Sequence, residues 1–271
     1  MPPPKPTIIV VPGAWHQPAH FEPLATSLRA KEYKVIVVRL PSLHYSKLNQ
    51  PVPNGVVEDV EAIKSIATRE LNDYPDYDIL ILTHSYSSVL GSVACQDLDK
   101  LSRRAAGHTN GIAGLMTIAG LLLPAGMSIL DSTGGQVPPC IQVWQSSYSD
   151  GRQYEVSMPA SPPGANELLY HDLPVTVAEH WASNLRPHIY EGHRIPIPFA
   201  GHLVLPTYYL MCEDDRMLAV EEQRFIVEEA NKQMPAGKEV KVTMIDSGHN
   251  PFLSQIEETV NWIRRCAGEV L

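Results

Sequence analysis

Six short apolar runs, rich in β-branched residues and without polar alternation, constrain this 271-residue chain more tightly than any other feature. They lie at Thr7 to Val11, Lys34 to Leu40, Ile79 to Thr83, Leu115 to Ala119, Thr207 to Cys212 and Val240 to Ile245. A strand that is apolar at nearly every position has both faces covered, as in a parallel sheet whose crossover helices lie on either side. Helical spacing fills the intervals at Phe21 to Lys31, Val56 to Leu71, Ser85 to Leu101, Ala219 to Met234 and Phe252 to Ala267. In the second of these, Val57, Val60, Ile63, Ala67 and Leu71 recur at steps of three and four, the mark of a helix lying on a core. The alternation predicts an α/β fold: a mainly parallel sheet of about six strands covered by helices on both faces.

The pattern breaks once, across 120–206, where prolines, glycines and aromatics mix and only one short helix, near Val175 to Leu185, is predicted. An excursion of this length is too long for an ordinary connection. LLYHDL and EHWASNL give it packable apolar residues, so it reads as a cap inserted after the fourth strand of a single domain spanning 1–271.

With 44% hydrophobic residues the chain can fill one core of ordinary size. A formal charge of -9 without any Lys/Arg cluster excludes the footprint that nucleic acid requires. The opening MPPPKPTIIVV lacks the basic and apolar regions of a secretory signal, and its apolar run is too short to span a bilayer. The expectation is therefore a soluble, cytoplasmic protein without nucleic-acid or membrane partners, its oligomeric state open to a homodimer. Cys95, Cys140, Cys212 and Cys266 are scattered without C-x-x-C spacing, which argues against zinc and against a disulfide framework.

In ILILTHSYSSVLGSVACQDL a strand meets a helix through a tight turn at Ser85. That places Ser85 at the carboxyl end of a central strand, where open parallel sheets put their ligands, with helix N-terminal amides beside it. After the last strand, MIDSGHNPFLS sets His249 on a loop able to deliver an imidazole to Ser85. YLMCEDDRM follows the preceding strand and offers Glu213, Asp214 and Asp215 as the carboxylate that would orient the imidazole. The turn Pro12-Gly13-Ala14-Trp15 ends the first strand, so the Ala14 and Tyr86 amides can converge on an oxyanion next to Ser85. PGAWHQ does not supply G-x-G-x-x-G, so neither a nicotinamide nor a flavin cofactor is expected, and no cofactor is called for. Trp15, Tyr86, Trp144, Tyr148, Tyr170 and Trp181 are available to line an apolar pocket; Trp15, Tyr170, His180 and Trp181 are singled out for its wall.

PGAWHQPAHFEPLATSL, THSYSS, CEDDR and SGHNPFLS, in that order, resemble the opening turn, nucleophile elbow, acid turn and histidine loop of the α/β-hydrolase superfamily. The resemblance is to its small-cap group, which includes plant methylesterases, hydroxynitrile lyases and fungal and bacterial hydrolases, and LYHDLPVTVAEHWASNL is similar to that group's cap segment. It implies an α/β-hydrolase fold with Ser85, Asp215 and His249 as catalytic triad and Ala14 and Tyr86 as oxyanion donors. The general elbow is G-x-S-x-G, whereas this chain has Thr83 and Ser87 at the flanking places, and Ala219 where relatives often carry proline. Gly13 and Asn250 occupy the places where the lyases of the group have threonine and lysine, which argues against cyanohydrin chemistry. The expected activity is a serine hydrolase acting on a carboxylic ester of a small hydrophobic molecule. The alternatives are a cofactor-independent lyase, C–C bond hydrolase or cyclase using the same site, and a non-catalytic receptor on the same scaffold.

Overall fold

The computed structural model describes residues 4–44, 54–147 and 151–271. Nine strands occur among them: β1 (Thr7–Val11), β2 (Val35–Val37), β3 (Ile79–His84), β4 (Ile112–Ile118), β5 (Ile141–Ser147), β6 (Gln153–Pro159), β7 (His188–Ile189), β8 (Thr207–Cys212) and β9 (Lys241–Ile245). The helices are α1 (Glu22–Arg29), α2 (Pro41–His44), α3 (Val56–Asp73), α4 (Ser87–Ala94), α5 (Lys100–Ala105), α6 (Ala165–Leu169), α7 (Val175–Ser183), α8 (Val220–Asn231), α9 (Pro251–Ser254) and α10 (Ile256–Cys266). Six strands form one parallel sheet in the order β2-β1-β3-β4-β8-β9, and all six coincide with the apolar runs of the sequence.

Why the runs are apolar throughout is visible in the parity of the sheet. Ile9, Val11, Ile79, Ile81 and Leu115 face a cluster that contains Ile63 and Ala67 of α3 and Val89, Leu90 and Val93 of α4. Ile8, Val10, Leu80, Leu82, Met116 and Ile118 face the opposite cluster, built with Leu24 and Leu28 of α1 and Val260, Trp262 and Ile263 of α10. Each fully buried Leu, Ile or Val on either face contributes roughly 1.5–3 kcal/mol. On the first face α8 packs Val227 and Ala230 on Tyr209 and Met211 of β8.

Two sequence expectations need correction. Val57 is 44% exposed; Ile63, Ala67 and Leu71 are buried as expected, and Val56, Asp59 and Glu70 complete the buried stripe of α3. Two carboxylates occupy the stripe because each has partners: Asp59 accepts from the Ser42 amide and hydroxyl, and Glu70 accepts from Thr7 Oγ1 and Lys34 Nζ. The excursion between β4 and β8 holds more than one short helix. It contains α6, α7 and a three-stranded antiparallel sheet in the order β5-β6-β7. β6 alternates buried Tyr154 and Val156 with more exposed Gln153 and Glu155, the period of a strand with one face covered, until Ser157, which is buried as well.

Candidate active site

Ser85 stands at the carboxyl end of β3 with φ 53, a left-handed conformation uncommon for a residue with a side chain. Its amide donates to Ile118 O (2.9 Å), tying the elbow to the end of the neighbouring strand. Where the family elbow has glycines, this chain uses hydroxyls. Ser87 Oγ donates to Val11 O (2.7 Å) and accepts the His84 amide (3.0 Å), while Thr83 Oγ1 donates to Met116 O (3.0 Å). The room that Thr83 takes is returned by α4, since a Cβ on Gly91 would lie 2.3 Å from Thr83 Cγ2. Trp15 (φ 66) and Ala119 (φ 41) share the left-handed conformation just beyond β1 and β4, on either side of Ser85. Each such residue costs on the order of 1–3 kcal/mol, and strain of this kind collects at functional sites.

His249 lies on the loop between β9 and α9. Its Nδ1 is 2.7 Å from Asp215 Oδ2, and both side chains are buried. A carboxylate can only accept, so Nδ1 carries the proton and Nε2 keeps its lone pair, the tautomer a general base requires. Asp215 is itself fixed: Oδ1 accepts the amides of Met217 (2.8 Å) and Leu218 (2.9 Å), and Gln223 Nε2 reaches Oδ2 at 3.3 Å. Asp214, whose side chain is 60% exposed, bonds His171 instead. Of the three acids in the turn, Asp215 contacts His249. Among the described residues no hydrogen bond joins His249 Nε2 to Ser85 Oγ.

Behind the elbow, His84 Nε2 donates to the His249 carbonyl (3.0 Å), and His16 Nδ1 donates to Ala14 O (2.7 Å). Burial holds the pKa of both rings well below the ordinary histidine value, so they are neutral supports of the histidine loop and the opening turn. Tyr86 lies on the other side of the sheet, in the cluster that holds α3 and α4, with its ring against His188 and His193. Its phenol is buried near the Asp59 carboxyl, and burial raises the phenol pKa well above its usual value and that of Asp59 to about 7.

Ser85 opens into a cavity of about 380 Å³. Ala14 and Tyr86 share its wall, and among the described residues neither of their amides has a hydrogen-bond partner. Leu121, Ile129, Leu130, Pro138 to Ile141, Tyr190 and His193 come from the excursion, and Met217 and Leu218 from the acid turn.

Of the four residues expected in the wall, Trp15 is there. Tyr170 is fully buried and hydrogen-bonds His16 Nε2 (3.1 Å), Trp181 packs on His20 and His180 is exposed on α7. These three are corrections: α6 and α7 dock behind the opening turn rather than over the cavity. Trp144 is 39% exposed on β5, and Tyr148 lies outside the described residues. Tyr190, His193 and the run from Ile129 to Ile141 were missed, although a proline pair beside apolar residues at 138–141 is a signal of a shaped wall.

A parallel sheet with a left-handed serine elbow between strand and helix, a strand-end acid turn and a histidine loop defines the α/β-hydrolase fold. The chain belongs to the alpha/beta hydrolase family, whose profile matches residues 8–262. It is 29% identical over 270 residues to the alpha/beta hydrolase nvfD of Aspergillus novofumigatus, covering 98% of each chain. Among solved structures it is similar to a pyrethroid hydrolase from Sphingobium faniae (19% identity, TM-score 0.71, 97% of each chain). It is also similar to polyneuridine aldehyde esterase (15% identity, TM-score 0.74, 97% of this chain and 100% of that one). No described helix is long and apolar enough to cross a membrane.

Proposed function

We propose that this protein is a serine hydrolase that cleaves the carboxylic ester of a small hydrophobic molecule, through Ser85, His249 and Asp215. The observation that carries the reading is the buried Asp215–His249 hydrogen bond set beside a left-handed Ser85 at the mouth of an apolar cavity. In this reading His249 Nε2 takes the proton of Ser85 Oγ as the oxygen attacks the ester carbonyl, and the Ala14 and Tyr86 amides hold the oxyanion. The tetrahedral species collapses with transfer of the His249 proton to the leaving alcohol. Water, deprotonated by the same imidazole, then attacks the acyl-serine and releases the acid. The chemistry needs no metal or organic cofactor. The excursion over 120–206 acts as the cap, and a soluble cytoplasmic setting fits the chain's charge and the lack of a membrane-spanning helix among the described residues. The likeness to a pyrethroid hydrolase and to polyneuridine aldehyde esterase supports an ester as the bond.

A fluorophosphonate is expected to add one phosphonyl group at Ser85 and nowhere else, and His249→Ala to abolish that labelling in folded protein. A second reading, general-base chemistry without an acyl-enzyme, draws on the missing hydrogen bond between Ser85 Oγ and His249 Nε2, which leaves the imidazole free to take a proton from substrate. Intact mass showing no adduct at excess probe, with turnover retained in Ser85→Ala, would establish that alternative.

A further inference from the structure

Part of the cavity wall is a stack of three rings. Tyr86 lies 4.9 Å from His193 with 22° between the planes, and His193 lies 4.2 Å from Tyr190 at 19°. All three residues line the cavity. His193 Nδ1 is 3.2 Å from the Tyr190 carbonyl, which can only accept, so Nδ1 carries the proton. The other nitrogen, Nε2, has no partner among the described residues and is not among the buried, unsatisfied polar atoms, although the residue as a whole is 5% exposed. It is therefore the edge of the ring that reaches the cavity, and it presents a lone pair there.

We propose that His193 sets substrate choice: Nε2 accepts a hydrogen bond from a hydroxyl on an otherwise apolar, uncharged molecule. The inference rests on the cavity being the substrate site of Ser85. Ser132 and Thr133, the other small polar residues of the wall, already donate their hydroxyls within their own turn, Ser132 to Ile129 O (2.6 Å) and Thr133 to Leu130 O (2.9 Å) and Gln136 O (2.6 Å). Arg216, paired with Glu167, and Glu222, which accepts the Ala219 amide, are exposed side chains whose remaining polar atoms water can satisfy, which leaves the His193 imidazole as the buried neutral acceptor of fixed orientation. A ligand that cannot donate leaves that acceptor desolvated and unpaired, so it is disfavoured by about 10–100-fold. The preference is insensitive to pH in the physiological range. Burial lowers the His193 pKa to about 3, so the lone pair survives where an ordinary imidazole would be protonated.

The test is calorimetric binding of para-phenylphenol and para-methoxybiphenyl to the full chain and to two variants. The phenol should bind about 10–100-fold tighter than its methyl ether, with the ratio unchanged between pH 5 and 8. His193→Phe keeps the stacked ring and should erase the ratio by weakening the phenol, whereas His193→Gln should keep part of it. Nitrogen-15 spectra should show His193 protonated at Nδ1, with the Nε2 signal moving when the phenol binds. Equal affinities for the two probes, a ratio untouched by His193→Phe, or no measurable binding of either would overturn the proposal. Protection of Ser85 from fluorophosphonate by the phenol separates the two readings. A His193-dependent phenol that fails to protect Ser85 defeats the assignment of this cavity to the serine and leaves the imidazole's ligand preference standing.

Discussion

The sheet and the excursion between β4 and β8 are stabilised by different means. The central strands β1 and β3 are buried along their whole length and are held by parallel ladders on both edges. The outer strand β5 is half exposed and is tied along one edge only. What fixes the excursion is a set of side-chain ties to the body. Asn250 Nδ2 donates to Leu169 O (2.7 Å), the Gly248 amide donates to Asp172 Oδ2 (2.7 Å), and His171 bonds Asp214 (3.0 Å). Trp15 Nε1 donates to Ser157 Oγ (3.2 Å), and Tyr170 meets His16. These ties land on the histidine loop, the acid turn and the opening turn. The body therefore aims the serine through its backbone, and the excursion helps to hold the imidazole and the acid.

The sharpest way to break this division is at its centre. Asp215→Asn keeps the shape of the acid turn and removes the group that holds the His249 tautomer, so kcat/KM on an ester substrate should fall about 10³–10⁴-fold in protein that still folds. A loss below tenfold would mean that the body does not aim the base through this contact.

Next in size is an effect shared by both regions. His16, His20 and His84 in the body and His188, His193 and His202 in the excursion are all buried with lowered pKa, chiefly through desolvation. Unfolding returns them to a pKa near 6.5, so the stability they confer is present above pH 6.5 and lost below it as the unfolded chain takes up protons. Asp59, raised to about 7, works the other way. It holds a proton when folded that the unfolded chain releases, so it favours the fold as pH falls from 7 toward 3.8. Six histidines against one carboxyl leave a net uptake of protons on unfolding below pH 6.5, each proton worth about 1.4 kcal/mol per pH unit. Melting temperature should drop steeply below pH 6.5, and calorimetry in buffers of different ionisation enthalpy should count the protons. Uptake of fewer than two would show that the rings are wet or paired in the fold.

The smallest expected effect isolates the ties. Asp172→Ala removes the acceptor of the Gly248 amide, next to His249, and should cost about 1 kcal/mol of stability. If the excursion positions the base, kcat should fall about tenfold with little change in KM. A change confined to KM would place the role of this tie in substrate binding alone.

The sheet was legible because desolvation of both faces leaves a mark on every residue: six apolar runs predict six strands, with ends shifted by at most three residues. Ser85, the histidine loop and the acid turn follow from position at strand ends, which chain order alone reveals. The excursion was harder to read for a physical reason. β5 and β6 mix polar with apolar residues, as strands with exposed positions do, and a search for continuous apolar runs passes over IQVWQSS and QYEVSMP. Tyr170 and Trp181 misled because a large aromatic in an insertion can pack on either side of the opening turn. His193 escaped notice because its environment is made by Tyr86, more than a hundred positions earlier in the chain.

The placement of the excursion also bears on how the chain is made. β4 and β8 are neighbours in the sheet, yet residues 119–206 separate them, so the free edge of β4 has no partner until β8 leaves the ribosome. At roughly 5–20 residues per second, that wait lasts on the order of 5–20 seconds. Throughout it, a strand meant to be buried on both faces offers a ready ladder to any other nascent copy, the situation in which edge-to-edge aggregation begins. The proline-rich stretch that shapes the cavity is thus also a delay built into synthesis, and its early docking onto the opening turn would shield the sheet while the edge remains open.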